Sequence, residues 1–150
     1  MIHIKNTQRS ITIDIKKLKQ DAQQILKIVD YPDFDLGIWI TTDATARKYN
    51  KHFRSKDKAT DILSFPFHPT LKPGGRIKPM SVDDRNLGDL IMSPFYIQKD
   101  APRYGVTLEQ RMRILLVHGI CHLLGYDHVT DADYKVMDKK EQEILKKLGK

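Results

Sequence analysis

The segment "TLEQRMRILLVHGICHLLG", Thr107 to Gly125, has the pattern of one helix with a signal at each end. Thr107, followed three residues later by Gln110, forms a capping box, which is typical of a helix start. Gly125 is the residue type most common directly after a helix C-terminus. From Ile114 to Leu124 the segment is apolar except for His118 and His122. The pattern predicts a helix packed in the core that carries two imidazoles.

Before this segment the chain alternates between β-rich runs and amphipathic stretches, and one more helix follows it. A strand, a helix and a second strand in succession form a βαβ unit, so at least part of the sheet is expected to be parallel. The predicted strands are Met1 to Asn6, Leu36 to Thr42, Ile62 to Phe67 and Leu87 to Ser93. The other predicted helices are 14 to 29 with Asp14 as N-cap, about Asp43 to His52, Pro94 to Gly105, and a final one from Thr130.

These elements predict an α+β fold with a mixed, mostly parallel sheet of about four strands and five or so helices. A chain of 150 residues is in the usual size range of one domain, so residues 1 to 150 are expected to form a single domain. The final helix is expected to bury one face, made of Tyr134, Met137, Ile144, Leu145 and Leu148.

The segment from Pro66 to Asn86 is rich in proline, glycine and charge and has no steady period. A loop of roughly twenty residues is uncommon in a compact domain and is usually functional or mobile. We therefore interpret it as a flap beside the functional site.

The composition favours a polyanionic partner, because 26 Lys and Arg against 19 Asp and Glu give a net charge of +7. A basic surface that serves only solubility is the alternative. No run approaches the roughly 18 apolar residues of a membrane span, and the N-terminus has no apolar signal region. The single Cys121 excludes an intramolecular disulfide. We expect a cytoplasmic protein with no membrane partner.

The stretch "HGICHLLGYDH" concentrates three histidines in eleven residues. His118 and His122 are four residues apart and project from one face of the helix. Gly125 then lets the chain turn back, which brings His128 round as a third ligand. Three nitrogen ligands and an open fourth position are typical of a catalytic zinc site, which predicts a zincin-like metal helix holding one Zn²⁺. Nickel and copper also accept imidazole ligands.

Each residue near this cluster also has a structural explanation. A lone histidine on an apolar helix is usually a satisfied core residue, but three together would all need buried partners. Cys121 is an alternative ligand, although about 100° of helix rotation separates it from His122, which favours a core role. Asp127 either orients an imidazole or stabilises the turn.

Gly119 argues against a peptidase. The spacing His-x-x-x-His-x-x-Gly-x-x-His is that of the metzincin metallopeptidases, in which a glutamate general base follows the first histidine. Gly119 occupies that position here and cannot accept a proton. A glycine inside a helix costs about 0.5 to 1 kcal/mol relative to alanine, so we expect something bulky to fit close to the metal. Metal-assisted hydrolysis of another kind stays possible.

Three segments together resemble the YbeY endoribonuclease family. "HGICHLLGYDH" is similar to its His-Gly-x-x-His-Leu-x-Gly-Tyr-Asp-His signature, and "YNKHFRSKDKATDILSFPF" and "NLGDLIMS" are similar to two further family stretches. The resemblance covers nearly the whole chain. It departs at Ala59, where proline is common, at Cys121, where a small residue such as serine often stands, and in a longer insert between Phe67 and Asn86.

The resemblance implies a single-strand-specific, metal-dependent endoribonuclease that acts in rRNA maturation, at the small-subunit rRNA 3′ end, and in ribosome quality control. It implies His118, His122 and His128 as zinc ligands and Arg54 as a functional arginine. A guanidinium binds phosphate oxygens with two hydrogen bonds and offsets charge that develops at phosphorus. Without the resemblance, Arg54 would be interpreted as a solvated charge in a lysine-rich loop.

We expect single-stranded RNA, and not DNA, to lie along a basic groove formed by Arg54 to Lys58 and the Lys72 to Lys78 part of the flap. Bases would stack on Phe53 or Tyr104. One alternative is a ribosome assembly factor with structural zinc that binds rRNA without cleaving it. Another is a metallopeptidase, which would need Asp89 or Asp127 as its base.

Overall fold

The computed structural model describes residues 1–149, which form four strands and five α-helices. In chain order the elements are β1 (Ile2–Asn6), α1 (Ile15–Ile28), β2 (Asp35–Ile40), α2 (Asp43–Arg54), β3 (Ile62–Pro66), β4 (Asn86–Met92), α3 (Pro94–Asp100), α4 (Leu108–Leu123) and α5 (Asp131–Lys147). Short 3₁₀ turns lie at Val82–Asp84 and Ala101–Tyr104. No helix of the described residues is both long and apolar enough to cross a membrane.

The four strands form one mixed sheet in the order β1-β2-β4-β3. β1 and β4 both lie parallel to β2, and β3 lies antiparallel to β4 at the edge. The predicted α+β fold with a mostly parallel sheet is confirmed, and β1-α1-β2 is the expected βαβ unit.

The second strand-helix-strand segment, from β2 through α2 to β3, is not a parallel unit, so that part of the prediction is wrong. The loop after α2 runs back along the helix, where the Asn50 amide donates to the Lys58 carbonyl at 2.9 Å. β3 therefore starts beside Met92, at the end of β4, and runs in the opposite direction.

The core lies between one face of the sheet and helices α1, α4 and α5. Along β2, Leu36, Ile38 and Ile40 are buried on this face, whereas Gly37 and Trp39 point to the other. The face with Gly37 and Trp39 is covered only in part, by side chains of α2.

Helix α4 packs directly on β3 and β4, and Gly119 makes this close approach possible. A Cβ atom at Gly119 would come within 2.7 Å of Ile62 Cδ1 and 2.9 Å of Leu90 Cδ2. The expectation that Gly119 leaves room for something bulky beside the metal is therefore wrong. The room at Gly119 is filled by the sheet.

The helix ends follow the sequence signals. Thr107 Oγ1 accepts from the Gln110 amide, and Gln110 Oε1 accepts from the Thr107 amide at 2.9 Å. Gly125 has a φ of 95°, a left-handed conformation that stops α4 and suits glycine. On α5, Met137 and Ile144 are buried as predicted, but Tyr134 is 60% exposed, since only the later turns of the helix face the core.

Both halves of the segment from Pro66 to Asn86 contact the rest of the domain. The backbone amide of the buried Ile77 donates to the Tyr31 hydroxyl at 3.0 Å. The backbone at Leu71 and Lys72 lies so close to Gly125 that a Cβ there would collide with it. The first half of this loop therefore lies beside the turn that follows α4.

Candidate metal centre

Three histidines meet at the C-terminal end of α4. His118 and His122 project from the same face of α4, and His128 comes from the turn between α4 and α5. One ring nitrogen from each lies within 4.8 Å of the others. The structure thus brings together the three side chains that the sequence grouped as one metal site.

Hydrogen bonds fix the orientation of the two helical imidazoles. His118 Nδ1 lies 2.7 Å from Glu141 Oε1, and His122 Nδ1 lies 2.9 Å from the Tyr126 carbonyl oxygen. A carbonyl oxygen and a carboxylate accept hydrogen bonds, so each Nδ1 carries the proton and donates. Each Nε2 then has its lone pair free, which is the form that binds a metal.

The two free nitrogens face each other. His118 Nε2 and His122 Nε2 are 3.1 Å apart, and two lone pairs at that distance repel unless a cation lies between them. In a tetrahedral site with Zn–N bonds of about 2.0 to 2.1 Å, two ligand nitrogens are about 3.3 Å apart. The geometry therefore fits one metal ion bound by imidazoles.

The electrostatics of the cluster keep its middle imidazole neutral. Burial in the first place, and then the nearby charges of His118 and His128, lower the pKa of His122 to about 4. A neutral His122 is available as a ligand at pH 7 without first losing a proton. Burial raises the pKa of the Cys121 thiol to about 12, so it stays protonated in the core. Its position supports the structural interpretation of Cys121.

Glu141 is a site residue that the sequence interpretation missed. It lies on α5, its side chain is 16% exposed, and its carboxylate accepts a hydrogen bond from His118 Nδ1. A signal was present, since Glu141 lies four residues after Met137 and three before Ile144, the two buried residues of α5. A carboxylate on the buried face of a helix needs a buried partner.

The two carboxylates considered as catalytic bases differ in position, since Asp127 lines the same cavity as the histidines and Asp89 does not. Asp127 accepts from the backbone amide of His128 at 2.8 Å, so it stabilises the turn. Asp89 alternates with the buried Leu90 and lies on the sheet face turned away from α4. Asp89 therefore does not supply the general base that a metallopeptidase needs, and Asp127 is engaged by the turn that carries His128.

The three histidines open into a cavity of about 610 Å³ along the free edge of β3. Arg54 lines the same cavity. Arg54 was expected in a loop, but it is the last residue of α2, and the helix stops at Ser55, which has a φ of 56°. The side chain is exposed, so it is open to a ligand in the cavity.

Of the other residues predicted to contact RNA, some line the metal cavity and some do not. Phe53 lines the cavity and is 57% exposed. Tyr104 does not line it, because its ring packs under the Arg111 guanidinium at 3.8 Å. The flap contributes His68, Pro69 and Leu71 in place of the predicted Lys72 to Lys78 segment.

Comparison with known proteins gives the family. The family model described as Endoribonuclease YbeY matches residues 3–149. A human Endoribonuclease YbeY is 35% identical over 147 residues, which cover 98% of this chain and 87% of that protein. The protein of the same name from Desulforamulus reducens is 34% identical over 150 residues, or 97% of this chain and 95% of that protein. That from Sulfurihydrogenibium sp. is 39% identical over 134 residues, or 89% and 82%.

A solution structure of a Thermotoga maritima protein has the same fold. The TM-score is 0.57 at 21% sequence identity, and the match covers 99% of this chain and 91% of the other. The family resemblance predicted from the histidine signature is thus confirmed over almost the entire sequence. The chain belongs to the YbeY endoribonuclease family.

Proposed function

We propose that this protein is a zinc-dependent endoribonuclease that cleaves single-stranded RNA during rRNA maturation. Its substrate would be the 3′ end of the small-subunit rRNA, with a further role in ribosome quality control in the cytoplasm. Family membership supports the endoribonuclease activity. The observation that carries the proposal is one cavity lined both by three converging imidazoles and by Arg54.

The donor set favours zinc as the resident metal, at one ion per chain. Three imidazoles with an open fourth position are typical of catalytic zinc sites. When bound, zinc supplies Lewis-acid stabilisation of negative charge at a phosphodiester. Glu141 would keep the proton of His118 on Nδ1 and so keep Nε2 directed at the ion.

Arg54 would bind the scissile phosphate from the α2 side of the cavity. Its guanidinium can donate two parallel hydrogen bonds to phosphate oxygens. As negative charge grows on those oxygens during cleavage, a positive charge in the same cavity as the metal ligands lowers the barrier. This role needs an exposed side chain, which Arg54 has.

Single-stranded RNA suits the shape and the charge of this surface. The cavity is open to solvent along an edge strand, and Phe53 offers an exposed ring at its rim. An unpaired base can stack on such a ring, whereas the bases of a duplex are not accessible. The net charge of +7 favours the phosphate backbone.

Metal analysis combined with a cleavage assay tests the proposal. The purified protein should contain one zinc per chain and cut a single-stranded fragment from the small-subunit rRNA 3′ region. Chelation should stop cleavage and added zinc should restore it, while a fully paired RNA of the same sequence should stay intact. Zinc-loaded protein that binds the fragment without cutting it would contradict the nuclease and favour an assembly factor.

A further inference from the structure

A second groove lies on the other face of the sheet, away from α4. It has a volume of about 440 Å³ and is formed between α2 and the open side of β1, β2 and β4. The strand register places its residues in two rows. His3, Gly37, Asp89 and Phe65 form one row across the sheet, and Lys5, Trp39 and Ile91 lie in the next.

Four aromatic rings connect this groove with the metal cavity. The Trp39 and Tyr49 ring centroids are 5.5 Å apart, those of Tyr49 and Phe53 are 5.9 Å apart, and those of Phe53 and Phe65 are 5.2 Å apart. Phe53 and Phe65 line both the groove and the metal cavity. The rings thus form a continuous path from the centre of the open sheet face to the candidate cleavage site.

The start of this path is rigid and basic. Trp39 Nε1 donates to Thr7 Oγ1 at 2.8 Å, which fixes the indole, and the Lys5 ammonium lies 5.0 Å from the ring centroid. A fixed aromatic ring beside a cation is the arrangement that binds a base and its phosphate together.

The floor of the groove carries a carboxylate, which favours a base over a phosphate at this point. Gly37 has no side chain, and the Asp89 carboxylate lies over it, where a Cβ would collide with it. A phosphate would be repelled at this point, but a base is neutral and its amino groups can donate to a carboxylate. The phosphates would therefore stay near Lys5 at one end and Arg54 at the other.

We propose that this groove, which we call the aromatic groove, binds the part of the single-stranded RNA that extends beyond the scissile phosphate. Bases stack on Trp39, Tyr49 and Phe53, and Lys5 binds a phosphate. The strand passes over the Phe53–Phe65 pair into the metal cavity. This inference rests on the proposed function for the direction of the strand, but the binding itself needs no metal and no cleavage.

Trp39 reports directly on this binding, because it is the only tryptophan in the sequence. A short single-stranded oligoribonucleotide should quench its fluorescence in a saturable way, with chelator present so that the RNA stays intact. A duplex of the same sequence should quench it far less, and inorganic phosphate should leave it unchanged. No quenching by single-stranded RNA at concentrations that saturate binding would overturn the proposal.

One variant inside the aromatic groove and one control outside it measure the contribution of the groove to affinity. Tyr49→Leu removes a ring that does not line the metal cavity and should weaken binding of a labelled oligonucleotide by roughly five- to a hundredfold. Tyr134→Leu is the matched control, since Tyr134 is exposed on α5 outside both cavities and should bind RNA as the parent does. Parental affinity in Tyr49→Leu would overturn the proposal.

Lys5→Glu serves if Tyr49→Leu fails to fold, because Lys5 is exposed on β1 and its side chain is not part of the core. It should weaken binding and reduce the slope of log affinity against log salt by about one.

His118→Ala separates this proposal from the proposed function. It should abolish cleavage and leave Trp39 quenching unchanged. Quenching by a parent protein that does not cleave RNA would support the aromatic groove and overturn the nuclease. Cleavage by a parent protein whose Trp39 fluorescence does not change with RNA would support the nuclease and overturn the aromatic groove.

Discussion

The two sides of the metal cavity differ in how firmly their side chains are held. On the α4 side, His118 and His122 are partly buried and each donates a hydrogen bond to a fixed acceptor. On the α2 side, Arg54 and Phe53 are exposed at the end of a helix. A metal requires ligand positions accurate to a fraction of an ångström, whereas a phosphate backbone tolerates adjustment.

This difference separates metal binding from RNA binding. Changes on the α4 side should lower metal content first and activity as a consequence. Changes on the α2 side should lower activity and RNA affinity while metal content stays constant. Each variant below tests whether the two sides are independent, since their residues come from different elements and share only the cavity.

His118→Ala should have the largest effect. It removes one of three ligands, so metal affinity should fall by more than the 10- to 100-fold that loss of a supporting partner costs. Zinc should be lost on dialysis and cleavage should fall below detection. The Glu141 carboxylate would lose its donor, which should lower the free energy of unfolding by about 1 to 3 kcal/mol.

The matched control is His52→Ala, since His52 is an exposed histidine on α2 that lines neither cavity. It should retain one zinc per chain and full activity, as measured by metal analysis and RNA cleavage. Parental cleavage rates in zinc-free His118→Ala would show that the metal side is not catalytic.

Arg54→Ala should lower the cleavage rate by about 10²- to 10³-fold, the usual cost of removing one donor to a charge that develops in the transition state. Zinc content should not change. Arg54→Lys should restore part of the rate, because lysine keeps the charge but loses the paired donors. Single-turnover cleavage and metal analysis on the same samples measure both quantities.

Arg103→Ala is a suitable control, because Arg103 is exposed, pairs with Asp100 and does not line the cavity. Loss of zinc together with activity in Arg54→Ala would mean that the two sides depend on each other.

Glu141→Gln should weaken zinc binding by about 10- to 100-fold. A glutamine oxygen can still accept from His118 Nδ1, so the ring keeps its position, but the negative charge that makes the imidazole a stronger ligand is lost. Competition with a chelator of known affinity measures the change. Glu143→Gln is the control on the same helix, because Glu143 is exposed and pairs with Lys140 and Lys147. Equal zinc affinity in both variants would contradict the role of Glu141.

The sequence predicted what depends on local patterns. The ends of α4, the shared face of His118 and His122 and the turn at Gly125 follow from residues within one segment, and the structure agrees with them. The sequence also predicted that His128 lies beside His118 and His122, because the turn after α4 is short.

Features that depend on contacts between distant segments were missed or wrong. Glu141 reaches His118 across 23 residues, the direction of β3 depends on how the loop after α2 returns, and Gly119 packs on Ile62 and Leu90 of the sheet. None of these contacts produces a periodic pattern around the residue itself. Tertiary packing determines them, and only the buried position of Glu141 on α5 gave a hint.

The stability of the metal-free protein should depend on pH through His122. Burial lowers the pKa of His122 to about 4 in the folded state, against an ordinary value of 6.5. Between these two values the unfolded chain binds a proton at this histidine and the folded chain does not. The free energy of unfolding must therefore fall as the pH falls from about 6.5 to about 4.

Denaturant unfolding at a series of pH values, with chelator present, measures this slope. His122→Gln cannot titrate, so its slope over this range should be shallower than that of the parent. Arg54→Ala should keep the parental slope, because the lowered pKa arises from burial and neighbours on the α4 side alone. The opposite result would be a parental slope in His122→Gln and a changed slope in Arg54→Ala. The pH dependence of stability would then arise on the α2 side, which would contradict the conclusion that the buried, firmly held groups lie on the α4 side.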